Sequence, residues 1–126
     1  MIVGIGVDLV QISEISRLIS LDEVAFISHT FTENEIAESA NAPEKARYFS
    51  SRFAAKEAAF KAIAHHAENQ TFDLRIVETL KDSDGCPSIS MNGELGALLR
   101  NAGINALFVS LSTDGDHAIA VVVAEK

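Results

Sequence analysis

The chain is short of the residues that cross-link, stack or attract polyanions. Its 126 residues include a single cysteine, Cys86, so no disulfide can form within it. An unstapled chain with one thiol reads as a cytoplasmic protein. There is no tryptophan, and seven phenylalanines and one tyrosine are the only aromatics, too few for a base-stacking platform. Ten Lys and Arg against eighteen Asp and Glu leave a net charge of -8 and a pI of about 4.8, which argues against nucleic acid as a partner. No apolar run approaches the ~18 residues of a membrane helix. The apolar start from Met1 to Val10 is interrupted by Asp8 and lacks the basic opening of a signal peptide. No linker, repeat or low-complexity segment divides the chain, so residues 1–126 read as one domain. At 48% hydrophobic and 22% charged it can bury a core without metal or disulfide.

The elements that remain predict an α+β fold. Ile2 to Val10 is β-branched and apolar, hence a strand, and Gly4 and Gly6 within it point to a bulge or a close backbone approach. Ser13 is placed to cap a short helix carrying Ile15, Leu18 and Ile19, and Thr32 with Glu35 forms a capping-box pattern opening a second. The spacing predicts a long helix from about Pro43 to His66, with Phe49, Phe53, Phe60, Ile63, Ala59 and Ala64 as its buried stripe and Asn69-Gln70 as its end. Asp73–Thr79 and Pro87–Met91, joined by Asp82-Ser83-Asp84-Gly85, read as a hairpin. A helix capped by Asn92 and stopped at Gly103 follows, then strands Leu107–Ser112 and Ala118–Ala124 around Thr113-Asp114-Gly115-Asp116. That order implies one long central helix and short helices packed on a largely antiparallel sheet.

The scarce cations are concentrated. Lys45, Arg47, Arg52, Lys56 and Lys61 make up half of the basic residues and lie within seventeen positions. Such a cluster either meets an anion or forms an ordinary solvated helix face. Asp8, near the end of an apolar strand, is either an exposed strand end or a carboxylate that needs a cation. Glu57 and Lys61 are an i,i+4 pair, and Ala54, Ala55, Ala58 and Ala59 around them leave room for a bulky ligand or another backbone. His65-His66 point in different directions and cannot chelate together. Cys86 has no activating base nearby in sequence, and Gly4-Ile5-Gly6 lacks the rest of a dinucleotide fingerprint.

Taken together, Gly4-Ile5-Gly6-Val7-Asp8-Leu9-Val10, Arg52-Phe53-Ala54-Ala55-Lys56-Glu57-Ala58-Ala59-Phe60-Lys61-Ala62, Asp84-Gly85-Cys86-Pro87 and Val109-Ser110-Leu111-Ser112 with Ala118-Ile119-Ala120-Val121-Val122 resemble, in order, the segments of the holo-acyl-carrier-protein synthase family. These are the short 4′-phosphopantetheinyl transferases. The resemblance implies transfer of phosphopantetheine from coenzyme A to a serine of apo acyl carrier protein, with release of adenosine 3′,5′-bisphosphate, a step that serves fatty acid biosynthesis. It implies Asp8 and Glu57 as ligands of Mg²⁺, Lys61 at the phosphates, Arg52 and Lys56 as contacts to the coenzyme A phosphates or as structural support, and Ser110 as a further contact to coenzyme A. It also implies a homotrimer, since longer relatives carry two such units in one chain. Two departures stand out: Ile63-Ala64-His65-His66-Ala67 lacks the family's glycines, and Glu14 replaces a basic residue on the first helix, with Arg17 nearby. They leave open a second reading, a homologue that binds coenzyme A or a carrier protein without turnover.

Overall fold

The computed structural model describes residues 1–67 and 73–126. Strand β1 (Ile2–Gln11) runs into three short helices, α1 (Ile12–Leu21), α2 (Glu23–Thr30) and α3 (Glu33–Ser39). The long helix α4 (Lys45–Ile63) follows and tightens into a 3-10 turn at Ala64–His66. A second 3-10 turn at Leu74–Ile76 leads to β2 (Thr79–Lys81) and β3 (Pro87–Ile89). Helix α5 (Gly93–Asn101) and strands β4 (Ala106–Asp114) and β5 (His117–Glu125) complete the order. The sheet order is β1-β5-β4 and both pairings are antiparallel, while β2 and β3 form a separate antiparallel ribbon. The expected α+β architecture with one long central helix is therefore what the chain adopts.

Helix α4 lies across one face of the sheet, and the sequence explains how closely. The strand residues facing it are small or β-branched: Ala118, Ala120, Val122 and Ala124 of β5 are fully buried. The helix answers with Ala54, Ala55, Ala58, Ala59 and Ala62. At Gly6 a Cβ would sit 1.8 Å from the carbonyl oxygen of Ala58, and at Gly4 the same distance from that of Ala62. Only glycine permits that approach. The alanine pattern thus admits a backbone, β1, and the register shift between Ile2 and Gly4 adds the expected bulge. Around this layer Phe31, Phe49, Ile63, Leu95 and Leu99 are fully buried, each contributing roughly 1.5–3 kcal/mol.

Several local expectations are corrected. Helix α4 starts at Lys45, with Glu44 as its N-cap, and ends at Ile63, short of His66; Asn69 and Gln70 lie outside the described residues. Its buried surface is broader than one aromatic stripe, because sheet and helices cover it from several sides: Phe53 and Phe60 are only half-buried and Ala64 is exposed. The α1 cap is supplied from outside. Ser13 donates its backbone N–H and its hydroxyl to Asp116 of the β4–β5 turn, at 2.9 and 2.6 Å. Helix α2 was not expected from the sequence; Asp22 caps it by accepting from the Ala25 N–H at 3.1 Å. Residues 74–76 form a 3-10 turn rather than the first strand of a hairpin, so β2 begins only at Thr79. Asn92 precedes α5 without a side-chain cap, and Gly103 beyond its end takes φ +74°. The closing strands are longer than expected, pairing through Asp114 and His117.

Candidate active site

The even-numbered residues of β1 from Gly4 to Val10 face α4. That pleat puts Asp8 on the helix side of the sheet, two residues beyond the Gly6–Ala58 contact. Lys61, three residues after Ala58, donates to Asp8 Oδ1 at 3.1 Å and to the carbonyl of Val7 at 3.0 Å. The Asp8 side chain is 16% exposed and that of Lys61 54%. Glu57, one turn earlier on α4, is close enough for the Asp8 charge to act on it. Burial first, and Asp8 second, push the Glu57 carboxyl above its ordinary value, with Lys61 opposing. Two carboxylates therefore share one lysine, and the lysine bonds Asp8 rather than its i,i+4 partner Glu57. The pair presents oxygen donors only, the donor type that Mg²⁺ takes. Among the described residues no group of three or more His, Cys, Asp or Glu gathers into a larger metal centre.

All five cations of the 45–61 segment meet carboxylates. Lys45 pairs with Glu23 at 2.7 Å and Arg47 with Glu44 at 2.8 Å, both near the surface. Arg52 and Lys56 are different: of the two roles implied for them, phosphate contact or structural support, their burial and carboxylate partners fit support. Lys56 is fully buried; its ammonium donates to Glu35 Oε1 at 2.7 Å, to the carbonyl of Leu74 at 3.1 Å and to that of Val77. All three of its donors are taken. Burial pulls its ammonium below the ordinary lysine value and Glu35 opposes that shift. Arg52, nearly buried, lies over the Tyr48 ring and donates to Glu38 Oε1 at 2.8 Å.

Glu35 and Glu38, one turn apart on α3, were not singled out in the sequence beyond the capping box, and they organise this region. Glu35 accepts from Lys56 and the Thr32 N–H through Oε1, and from the Thr79 N–H at 3.1 Å through Oε2. Glu38 accepts from Tyr48 and Arg52 through Oε1, and from the Lys81 N–H at 2.9 Å through Oε2. Each glutamate thus ties α4 to β2. The only signal in the sequence was Glu35 at the third position after Thr32, which reported the local cap and not the buried pair.

Ser110 of β4 is exposed and pairs with Val121, placing it on the sheet face opposite Asp8. Within one chain it is not brought to the cluster. Arg17 donates to Glu14, so this basic side chain of α1 is already paired. Cys86 is exposed in the β2–β3 turn. In the glycine-poor stretch, His66 Nε2 lies 3.2 Å from the carbonyl of Val3. A groove of about 640 Å³ between α2, α3 and α4, walled by Val24, Ile27, Ile36, Pro43 and Phe49, takes in none of Asp8, Glu57 and Lys61.

The chain belongs to the 4′-phosphopantetheinyl transferase superfamily, whose model matches residues 4–122. It is 36% identical, over the whole of both chains, to the holo-[acyl-carrier-protein] synthase of Geotalea daltonii. Its fold matches the crystal structure of holo-[acyl-carrier-protein] synthase from Neisseria meningitidis with a TM-score of 0.90, 33% identity and full coverage of both chains. It also matches a synthase from Chronobacterium ammoniagenes solved in complex with CoA, at TM-score 0.82 and 26% identity, over 97% of this chain and 96% of that one. The resemblance to the short synthases is thereby borne out, and the protein is a phosphopantetheinyl transferase.

Proposed function

We propose that this transferase moves 4′-phosphopantetheine from coenzyme A to a serine of apo acyl carrier protein. The serine hydroxyl gives up its proton to solvent as its oxygen bonds to phosphorus, the pyrophosphate P–O bond breaks, and adenosine 3′,5′-bisphosphate leaves. The carrying observation is the bond from Lys61 of α4 to Asp8 of β1, with Glu57 one turn earlier on the same helix and within reach of the Asp8 charge. Asp8 and Glu57 would hold Mg²⁺, which would supply charge stabilisation at the pyrophosphate oxygens. The raised Glu57 carboxyl fits that role, because a cation offsets the repulsion from Asp8. Lys61 is exposed enough to turn its ammonium toward a phosphate while its stem stays on α4. Intact-mass analysis of apo carrier protein incubated with coenzyme A and Mg²⁺ tests the reading. The expected result is addition of one phosphopantetheine; binding of coenzyme A with no mass increase on any of several carriers would favour a non-catalytic homologue.

The site is completed, in this proposal, by further copies of the chain. The outer face of the sheet carries Ile5 and Leu9, each 63% exposed, with Val7, and Phe108 at 55%. Ile119, Val121 and Val123 of β5 lie between them in register. Such a contiguous apolar face marks a protein interface. Trimeric closure follows the family resemblance, and a neighbour seated there offers the route by which Ser110 could approach another chain's site. Light scattering should give three times the 13.5 kDa chain mass, and a monomer mass in an active preparation would overturn it. Among the described residues no helix is long and apolar enough to cross a membrane; action in the cytoplasm on fatty acid synthesis remains part of this proposal.

A further inference from the structure

Two of the contacts that hold helix α4 differ in kind. Against β1 the contact is backbone to backbone, Ala58 on Gly6 and Ala62 on Gly4. With no side chain at Gly4 and Gly6, no knob lodges between ridges of the helix at these two positions, so the contact there sets distance but resists rotation poorly. Rotation is opposed elsewhere. Lys56 reaches three oxygens from two elements: Glu35 on α3 and the carbonyls of Leu74 and Val77 before β2. Its ammonium also lies 5.5 Å from the centroid of the Phe31 ring. Glu35 is itself fixed by the Thr32 and Thr79 N–H groups. Lys56 is the residue before Glu57, about 100° around the same turn.

We propose that Lys56 and Glu35 are positioning residues for the carboxylate pair, holding the roll of α4 so that Glu57 stays in register with Asp8. The inference rests on the metal reading above. A roll of about 10° would carry a carboxylate some 6 Å from the helix axis through roughly 1 Å, enough to spoil shared coordination of a small, geometrically strict cation. The pair is therefore not only a piece of core: its loss should weaken metal binding in protein that is still folded.

The test is Mn²⁺ binding to the protein alone, followed by water-proton relaxation at a temperature where circular dichroism finds every variant folded. K56M removes the anchor. K56M/E35Q removes both buried charges together, which avoids leaving one unpaired and keeps the experiment available should the single variant not fold. L99A, at a fully buried apolar position of α5 that makes no hydrogen bond to Lys56 or Glu35, serves as a destabilised control. We expect a Kd for Mn²⁺ raised about tenfold in the anchor variants, the scale of an outer-sphere loss, and within about twofold of wild type in L99A. An unchanged Kd in the folded anchor variant, or an equal weakening in L99A, overturns the positioning role. D8N separates the two levels: if it binds Mn²⁺ as well as wild type does, the carboxylate-pair reading itself fails and the positioning role falls with it.

Discussion

On one side of α4, Lys56 has no exposed surface and three oxygen acceptors; on the other, Lys61 keeps half its side chain in solvent and holds Asp8 from 3.1 Å. Both are lysines of the same signature segment, five residues apart. The buried side is closed: Glu35 and Glu38 each divide their oxygens between a cation of α4 and a backbone N–H of β2. The Asp8 side is open, with two carboxylates and a single lysine among them, and Glu57 resists ionisation there. A polar cluster that completes itself serves the fold. One left with surplus negative charge in a half-buried place is where a cation and a phosphate can be received.

The contrast can be broken most severely from the buried side. Glu35→Ala strands the Lys56 ammonium without its carboxylate, which should cost about 3–5 kcal/mol and lower Tm by roughly 10 °C or more. A thermal melt within a few degrees of wild type would mean that the closed side carries no structural weight.

On the open side the expected signs are reversed. Asp8→Asn and Glu57→Gln should each lower transfer by at least about a hundredfold while the fold survives. Glu57→Gln should not lower Tm in metal-free buffer, because the ionised carboxylate is disfavoured by burial and by Asp8. A carboxyl whose folded value is raised makes no penalty below its unfolded value. The penalty grows as pH rises through that value and is complete above the folded one. Wild-type protein should therefore gain more Tm from Mg²⁺ at pH 7 than at pH 4, and Glu57→Gln should show little of that pH-dependent gain. Equal gains in both proteins at both pH values would remove Glu57 from the metal site.

A smaller effect sharpens the comparison at Lys61. Lys61→Met should lower kcat/KM for coenzyme A about tenfold or more, since charge stabilisation in a partly desolvated site exceeds a surface pair. Its cost to stability should stay within about 1 kcal/mol. Lost stability with unchanged kinetics would return Lys61 to the role of a simple partner of Asp8.

The smallest effect is expected at Lys45, whose pair with Glu23 is exposed on both sides. Lys45→Ala should change stability by less than about 0.5 kcal/mol and leave transfer as it was. A large loss of either would mean that the surface members of the cation cluster had been undervalued.

Local chemistry was enough to specify much of this protein. The apolar, β-branched composition of Ile2–Val10, the Thr32–Glu35 capping box and the apolar closing hairpin each needed only a few adjacent residues to be legible, because strand preference, cap and turn are short-range. Asp8, Glu57 and Lys61 could be grouped from the signature segments, and the structure does bring them together. Helix α2 was not legible, because Val24-Ala25-Phe26-Ile27 is one apolar block without helical spacing and the helix packs on other elements, α1 and the Leu74–Ile76 turn. Nor could the residues before β2 be placed: Leu74 and Ile76 alternate like a strand, yet the carbonyl of Leu74 is bent onto Lys56 as part of a 3-10 turn. The same limit separated Lys56 from Lys61. Charge is a property of the residue, but burial and partnership come from elements that folding brings alongside, here a glutamate 21 positions away for one lysine and an aspartate 53 positions away for the other.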